Sequence, residues 1–240
     1  MSLPDALRLQ AALEATWPPA ASEIREGWLL REGASGGKRV SAASPLTPHA
    51  DPAHAQAAMR ARGQTPLFRL GIGDAAIDAQ LAGLGYRLLD PTLIYAASTA
   101  TLARKPGPVS LFALWPPLAI MRDIWAEGGI NAPRLAVMAR VKSPKTALIA
   151  RIDDRAAGAA FCALDGDIAM LHAIEVLPEH RRKRVGALIV HGAADWALAA
   201  GAQCLALAVT EANHGARALY ERAGMKIVTR YHYREEVKND

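Results

Sequence analysis

One segment, IEVLPEHRRKRVGALIV at residues 174–190, limits the fold of this chain more than any other. Its apolar first half has the pattern of a strand ending at Pro178, and a helix is predicted from about Gly186. A strand, a turn and a helix in this order direct backbone N–H groups and a positive helix end at one point, which suits a pyrophosphate. A solvated basic turn and a nucleic-acid patch are the alternatives. The positive charges of the turn are on Arg181, Arg182, Lys183 and Arg184.

The periodicity around this segment alternates between helix and strand, which indicates the α/β class. Two turns, Asp153-Asp154 and Asp165-Gly166, have the residues of tight hairpins and predict antiparallel pairing. The predicted elements are helices at 118–127 and 134–141, strands at 146–152, 156–164 and 168–176, a helix at 186–200, a strand at 205–209, a helix at 213–223 and a strand at 226–234.

The stretch ARKPGPVS at residues 103–110 is rich in proline and glycine and predicts a domain boundary. We therefore expect an N-terminal α/β module at residues 1–105 and a larger domain at 106–240. Residues 79–95 and 218–234 share a short helix, a glycine and an apolar strand, a pattern consistent with a duplicated module. The predicted N-terminal elements are a helix at 5–15, a hairpin of strands at 26–31 and 38–43, a helix at 53–62, a strand at 66–70, a helix at 75–83 and a strand at 87–97.

A second motif, VTEANHGARALYERAGM at residues 209–225, predicts a helix between two strands. Asn213 precedes this helix and has the side chain of an N-cap. Tyr220 follows seven residues later, two turns down the same helical face. Taken alone, Asn213 is a cap and Tyr220 an amphipathic core residue.

The two motifs together resemble the GNAT superfamily of N-acetyltransferases. Its members carry V-x-P-x-x-R at the end of their fourth strand, followed by a pyrophosphate loop of the form Q/R-x-x-G-x-G/A. Val176, Pro178 and Arg181 match the first pattern, and Arg181 and Gly186 match the ends of the loop. Arg184 stands where the family has glycine. With an ordinary negative φ, Arg184 is expected still to donate its N–H, with some loss of affinity.

The downstream motif resembles the family pattern V-x-x-x-N-x-x-A-x-x-L-Y-x-x-x-G-F, with Met225 in place of the final aromatic residue. The resemblance implies that Asn213 bonds the pantetheine arm of acetyl-CoA. It also implies that the Tyr220 hydroxyl protonates the CoA thiolate as it leaves. The matching positions are Val209, Asn213, Ala216, Leu219, Tyr220 and Gly224.

An acceptor amine must lose a proton before it attacks, so the site needs a base. The predicted strand MLHAIEV, residues 170–176, offers His172 and Glu175. It resembles H-L-H-A-L-A-V of the serotonin N-acetyltransferases, in which His172 matches a family histidine. Regular alternation places His172 and Glu175 on opposite faces, with His172 on the face of Val176. A bulge near Val176 would shift the alternation by one and favour Glu175.

The resemblance implies a GNAT fold, a mixed and mostly antiparallel sheet flanked by helices, with a smaller, degenerate GNAT-like module before it. It implies an acyltransferase that moves the acetyl group of acetyl-CoA to an amine of a small molecule or peptide by direct attack. A non-catalytic acyl-CoA-binding regulatory module is the alternative. The acetyl-CoA site, at the splay between the fourth and fifth strands of the larger domain, is expected to comprise Ile174, Val176, Arg181, Arg182, Lys183, Arg184, Val185, Gly186, Ala187, Asn213 and Tyr220.

Charge and composition limit the other classes of function. The net charge of +5 favours anionic partners, but the basic run lacks the interleaved aromatic residues of a nucleic-acid binder. We therefore expect no nucleic-acid partner. We expect no membrane partner, because no apolar run reaches the ~18 residues that span a bilayer, and no metal, because the sequence has no metal-ligand cluster. Cys162 and Cys204 lie in apolar runs and are expected to be buried, reduced thiols of a cytoplasmic protein. The acceptor amine and the oligomeric state stay open.

Overall fold

A computed structural model describes residues 3–237 of the chain. The chain forms two compact units that are interleaved along the sequence. The large unit holds the chain up to Pro18, Ile94–Val209 and Asn213–Val228, and the small unit holds Pro19–Leu93, Thr210–Ala212 and the chain from Thr229. The domain boundary after residue 105 stays a prediction, because a compact unit need not be a separately folding domain.

The helices and strands follow the predicted order closely. The helices are α1 Ala6–Ala15, α2 Pro52–Ala61, α3 Ala75–Gly83, α4 Thr99–Leu102, α5 Ala119–Glu127, α6 Ala132–Arg140, α7 Val185–Ala199 and α8 His214–Arg222. The strands are β1 Ala21–Arg25, β2 Trp28–Glu32, β3 Ser44–Pro45, β4 Leu67–Gly71, β5 Arg87–Ser98, β6 Leu111–Leu114, β7 Lys145–Ile152, β8 Arg155–Asp165, β9 Ile168–Val176, β10 Cys204–Thr210 and β11 Lys226–Glu235.

The large unit contains a mixed, mostly antiparallel sheet flanked by helices, which confirms the predicted fold class. Its strands lie in the order β10-β9-β8-β7-β6, and only β9 and β10 run parallel within this series. Gly158 of β8 faces α7, because a Cβ added there would lie 3.2 Å from the side chains of both Val185 and Ile189. Phe161, three residues further on, faces the other side of the sheet and packs edge-on against Trp17 after α1, at 6.2 Å between ring centroids.

Strand β6 was not predicted. It pairs with β7 along the edge of the sheet, in the register Leu111↔Ala150 to Leu114↔Ala147. The strand is short and follows the proline- and glycine-rich stretch directly, so its four apolar residues gave no clear period. With β6 present, β9 and β10 are the fourth and fifth strands after the predicted boundary.

The predicted hairpin of the N-terminal module is wrong in its second strand. The hairpin partner of β2 is β1, joined through Glu26 and Gly27, whose φ values of 47° and 77° suit a tight turn. On its other side β2 pairs with the two-residue strand β3. Residues 38–43 begin with a short 3-10 turn, in which the N–H groups of Val40 and Ser41 bond to nearby carbonyls at 3.2 and 3.1 Å. The hydrogen bonds of this turn are local, and within residues 38–43 only Ala43 pairs with a strand, through the Leu67 carbonyl and the Arg69 N–H of β4 at 2.8 Å each.

The core of the large unit is built mostly from aliphatic and small side chains, with Trp125, Tyr95 and Phe161 buried among them. Val185, Ile189, Gly192 and Ala197 of α7 are buried, whereas Trp196 is half-buried. Cys162 and Cys204 are both free and buried, as predicted. No helix within residues 3–237 is both long enough and apolar enough to cross a bilayer.

Candidate active site

The strands β9 and β10 separate at one end of the sheet in the large unit. They pair in parallel from Ile168 with Cys204 to Leu171 with Leu207, and the pairing stops there. From residue 172 onward, β9 turns an edge of backbone N–H and C=O groups toward the gap instead of toward β10. Such groups need partners, and the amides of a pantetheine arm would supply them. This is the splay where the sequence predicts acetyl-CoA.

A bulge interrupts β9 between His172 and Glu175. His172 pairs with Phe161 and Glu175 with Ala159, so two residues of β9, Ala173 and Ile174, stand opposite one residue of β8. Ala173 has a positive φ of 51°. Since Phe161 and Ala159 share a face of β8, His172 and Glu175 also share one face.

Val176 pairs with Gly158 and therefore lies on the other face, toward α7. The two predictions that assumed regular alternation are thus wrong: His172 and Glu175 are on the same face, and His172 and Val176 are not. The physical reason is the extra residue, which shifts the alternation of the strand by one.

His172 lies in the core of the large unit and is only 4% exposed. Its ring packs against Trp17, at 5.0 Å between centroids, and against Phe161, at 6.2 Å. The Thr16 hydroxyl donates to the Ala12 carbonyl at 2.6 Å, so the Nε2–H of His172 donates to Thr16 Oγ1 at 2.9 Å. These are the surroundings of a satisfied core histidine.

Glu175 lies at the open end of the same strand and is half-buried. Desolvation by burial raises its pKa above the ordinary carboxyl value, and the nearby guanidinium groups of Arg181 and Arg134 partly oppose this rise. Its carboxylate packs so closely against Gly128, after the end of α5, that any Cβ at position 128 would overlap it. A carboxylate with a raised pKa beside an open strand edge suits a general base.

The basic loop between β9 and α7 has a strained backbone. Arg182 and Arg184 both have positive φ, 63° and 65°. The expectation that Arg184 has an ordinary φ is therefore wrong: the arginine takes the left-handed conformation that the glycine of the family loop takes freely. The four basic side chains of the loop are exposed.

Helix α7 begins directly after this loop and leaves donors unused. Its first backbone bond runs from the Leu188 N–H to the Arg184 carbonyl at 3.0 Å. The N–H groups of Val185, Gly186 and Ala187 therefore precede the helical bonds and are available to an anion. The Arg181 Nε donates to the Val176 carbonyl at 3.2 Å, which holds the loop against the end of β9.

Helix α8 carries the two residues of the downstream motif. The Asn213 side chain accepts from the Ala216 N–H at 3.1 Å, so it caps the helix as the sequence predicts. Tyr220 is 5% exposed, lies 5.8 Å from the ring of Tyr95, and has a pKa raised by burial. Its hydroxyl therefore stays protonated at neutral pH and can donate a proton.

Gly186 brings α7 and α8 close together. A Cβ at this position would lie 2.8 Å from Leu219 Cδ2, the residue before Tyr220. The glycine of the predicted phosphate loop is thus also required by helix packing. Sequence reasoning missed Gly128, which packs against the Glu175 carboxylate, and Arg134, whose charge lowers the pKa of that carboxyl. The one signal for Arg134 was a positive charge in the first turn of a predicted helix, where negative charge is favoured.

Among the described residues, no three or more His, Cys, Asp or Glu side chains are grouped as a metal site requires.

Comparison with known proteins places the site in a family. The sequence model of the acetyltransferase (GNAT) family matches residues 118–225, which include α5 to α8 and the strands β7 to β10. This segment holds every site residue predicted above. Residues 118–225 therefore match the acetyltransferase (GNAT) family.

Solved structures support the same fold. A GCN5-related N-acetyltransferase from Kribbella flavida has a TM-score of 0.73 at 18% identity, covering 99% of this chain and 98% of its own. A tandem GNAT protein from the clavulanic acid biosynthesis pathway has a TM-score of 0.59 at 15% identity, over 93% and 86% of the two chains. A GNAT-family protein from Novosphingobium aromaticivorans has a TM-score of 0.57 at 18% identity, over 90% and 92%. No curated protein matches the sequence.

Proposed function

We propose that this protein transfers the acetyl group of acetyl-CoA to an amine of a small molecule or peptide by direct attack. The observation that carries the proposal is a combination in the large unit: an open edge of β9, unused N–H donors at the start of α7, and a buried Tyr220 on α8, which packs against α7 at Gly186. The family match supports acyl transfer in general. The acetyl donor and the amine acceptor are the proposed parts.

The binding roles follow from the geometry of each group. The N–H groups of Val185, Gly186 and Ala187 and the loop's basic side chains are proposed to hold the pyrophosphate. The edge of β9 at Ile174 and Val176 is proposed to bond the pantetheine arm, with Asn213 as a further contact. Arg184 lacks the conformational freedom of the glycine that the family has at this position, but its side chain adds a positive charge near the proposed phosphate site. The proposed acetyl-CoA contacts of the loop are Arg181, Arg182, Lys183 and Arg184.

Glu175 is the proposed base and Tyr220 the proposed acid. Glu175 takes a proton from the acceptor ammonium, the amine nitrogen forms a bond to the thioester carbon, and the carbon–sulfur bond breaks. The Tyr220 hydroxyl gives its proton to the sulfur. The nitrogen then loses its second proton, which returns to the Tyr220 oxygen through solvent, and Glu175 releases its proton to solvent. Backbone N–H groups near Val176 stabilise the negative charge on the acetyl oxygen during this exchange. His172 is the alternative base, but its burial and its bond to Thr16 favour a packing role.

The proposed partners are acetyl-CoA, CoA and the acceptor, with no nucleic acid and no membrane. The two free, buried cysteines fit a reducing compartment, and we propose a cytoplasmic location.

A turnover assay tests the proposal. Amines, amino acids and peptides are screened with acetyl-CoA, reading CoA release and acetylated product together. Tyr220→Phe is the matched control: kcat should fall by on the order of 10²–10⁴ while the KM for acetyl-CoA changes little, because the hydroxyl acts only as the thiolate departs. A structural Tyr220 would instead lower the melting temperature and leave kcat nearly intact. Binding of CoA without any product would point to the regulatory alternative.

A further inference from the structure

Strand β6 ends the series of strands in the large unit and has a neighbour, β7, on one side. The Arg151 N–H donates at 2.8 Å to the carbonyl of Ser110, which is the residue opposite it in the register of these two strands. Hydrogen-bonded residues alternate along an antiparallel pair, so Phe112 also uses its backbone groups toward β7. The N–H and C=O groups of Leu111 and Ala113 point outward, and in the part of the chain that the structure describes no other backbone group bonds to them.

This edge lacks the features that keep a sheet from pairing with another chain. Natural edge strands carry charged side chains, a proline or a bulge. The outer strand of the three-stranded sheet in the small unit, β1, carries Glu23 and Arg25. Strand β6 has the sequence LFAL and a regular register with β7, and residues 106–121 contain no charged residue. The edge is therefore open to another strand and offers a charged partner no opposite charge.

Phe112 adds an exposed aromatic ring to this edge. Leu111 faces α7, since a Cβ added to Gly192 of that helix would lie 2.9 Å from Leu111 Cδ2. Phe112 therefore faces the opposite side of the sheet, where α5 packs over β8 and β9. Phe112 is 42% exposed. A second strand laid along β6 would cover part of this ring.

We infer that the occupant of this edge is the β6 strand of a second copy of the chain, paired antiparallel about a two-fold axis at Phe112. In this register Leu111 of one copy lies opposite Ala113 of the other, and each such pair exchanges N–H···O=C bonds in both directions. Every outward group of the strand then finds its partner within the same strand of the other copy. The two Phe112 residues form a non-hydrogen-bonded pair, whose side chains lie close enough to pack together.

The absence of charge favours a second copy over a charged partner. A symmetric pair brings each residue of the segment close to its own duplicate, so a charge near the axis would meet a like charge. Residues 106–121 avoid this repulsion because none of them is charged. An edge of four residues is small beside the ~800 Å² that each partner buries in a standard interface. We therefore expect a dimer whose population depends on protein concentration.

Sedimentation over a range of protein concentrations tests the inference. The wild-type protein should pass from monomer to dimer as concentration rises. Ala113→Pro removes an outward N–H and no bond to β7, and proline is tolerated at such a position on an edge. It should raise the dissociation constant of the dimer at least about 10-fold, because each copy loses a hydrogen bond to the other. Its melting temperature should change little.

Disulfide trapping tests the register and does not depend on how the proline variant folds. Cysteines in a non-hydrogen-bonded pair have the spacing of a disulfide, and the native Cys162 and Cys204 are buried. Mild oxidation of Phe112→Cys should therefore give a cross-linked dimer. Leu198→Cys is the matched control, because Leu198 of α7 is 45% exposed and lies on another element. It should stay monomeric under the same oxidation.

A protein that is monomeric at every concentration would overturn the inference and leave the edge to a strand of a different protein. Association that survives Ala113→Pro, or cross-linking of Leu198→Cys as fast as that of Phe112→Cys, would also overturn it, because either result places the contact elsewhere on the surface. These outcomes are independent of acetyl transfer, since β6 contributes no residue to the proposed acetyl-CoA site.

Discussion

Glu175 and His172 are three positions apart on β9 and differ in access to a substrate. The bulge at Ala173 brings both side chains to one face of the sheet. The His172 ring is buried against Trp17 and Phe161, whereas Glu175 is half-buried at the open end of the strand. A base must reach the amine directly or through one water. On that criterion Glu175 is the better candidate, although histidine has the more suitable ordinary pKa.

The pH dependence of turnover separates the two residues. We expect log(kcat/KM) to rise with pH and level off above a group whose pKa exceeds the ordinary glutamate value of about 4.3, since burial raises the pKa of Glu175. Glu175→Gln should remove that limb and lower kcat/KM by on the order of 10²–10⁴. His172→Gln should keep the limb and lower the melting temperature, because it disturbs a packed and hydrogen-bonded core.

The acceptor amine titrates as well and can imitate a base. The profile is therefore measured with two acceptors of different pKa, and only a limb common to both belongs to the protein. A limb that survives in Glu175→Gln and disappears in His172→Gln would reverse the assignment.

At the same scale, the local structure around the candidate site residues could be predicted from the sequence better than their orientation. Asn213 caps α8 and Tyr220 is buried on the same helix, because capping and helical periodicity are local properties. The face of Glu175 could not be predicted, since a bulge depends on pairing with a neighbouring strand. The left-handed φ of Arg184 was also missed. A glycine in a sequence suggests a positive φ, but an arginine does not.

Among the elements, the loop between β9 and α7 gives the sharpest structural prediction. Arg184 in the left-handed region costs about 1–2 kcal/mol, and a glycine there loses about 0.4–1 kcal/mol through the unfolded chain. Arg184→Gly should therefore raise the free energy of unfolding by about 0.5–1 kcal/mol, measured by denaturant unfolding.

Lys183 is the matched control for this change. It is the preceding basic residue and does not have a positive φ. Lys183→Gly removes the same charge without relieving strain, so it should lower the free energy of unfolding by about 0.4–1 kcal/mol. Equal effects of the two substitutions would mean that repulsion among the basic residues, and not backbone strain, governs the stability of this loop.

Elements with a clear period were predicted within one or two residues, including α3, α7 and β9. The elements that were missed or predicted wrongly lack a regular alternation of buried and exposed residues. Strand β1 is exposed along its whole length, so its sequence ASEIR has no apolar face to reveal it. Residues 38–43 contain buried apolar side chains that suggest a strand, but they begin with a 3-10 turn, and only Ala43 bonds to a strand. Edge strand β6 has only four residues.

For the whole molecule, the raised pKa of Glu175 links activity to stability. The folded state holds this proton more tightly than the unfolded state, so the free energy of unfolding falls as pH rises from the ordinary pKa of about 4.3 through the raised value. At a pH above the raised pKa, Glu175 is ionised in the folded protein, and the cost of its desolvation lowers the free energy of unfolding in full. Glu175→Gln should therefore have a higher melting temperature than wild type at pH 7.

The difference in melting temperature should shrink on acidification below about pH 4, where Glu175 is neutral in both states. Asp195→Asn, a change at a half-buried carboxyl of α7 away from the proposed base, serves as the comparison. A Glu175→Gln protein that is less stable than wild type at pH 7 would mean that Glu175 is a structural ion-pair partner.

We propose that β9, the basic loop and α7 of the large unit form one acetyl-CoA site. Titration calorimetry with CoA tests it most directly. We predict one molecule of CoA per chain, and a binding free energy weakened by about 1–3 kcal/mol in Arg181→Ala, the scale of one charge-assisted hydrogen bond. No heat at millimolar CoA, two molecules per chain, or unchanged affinity in Arg181→Ala would contradict the site as described.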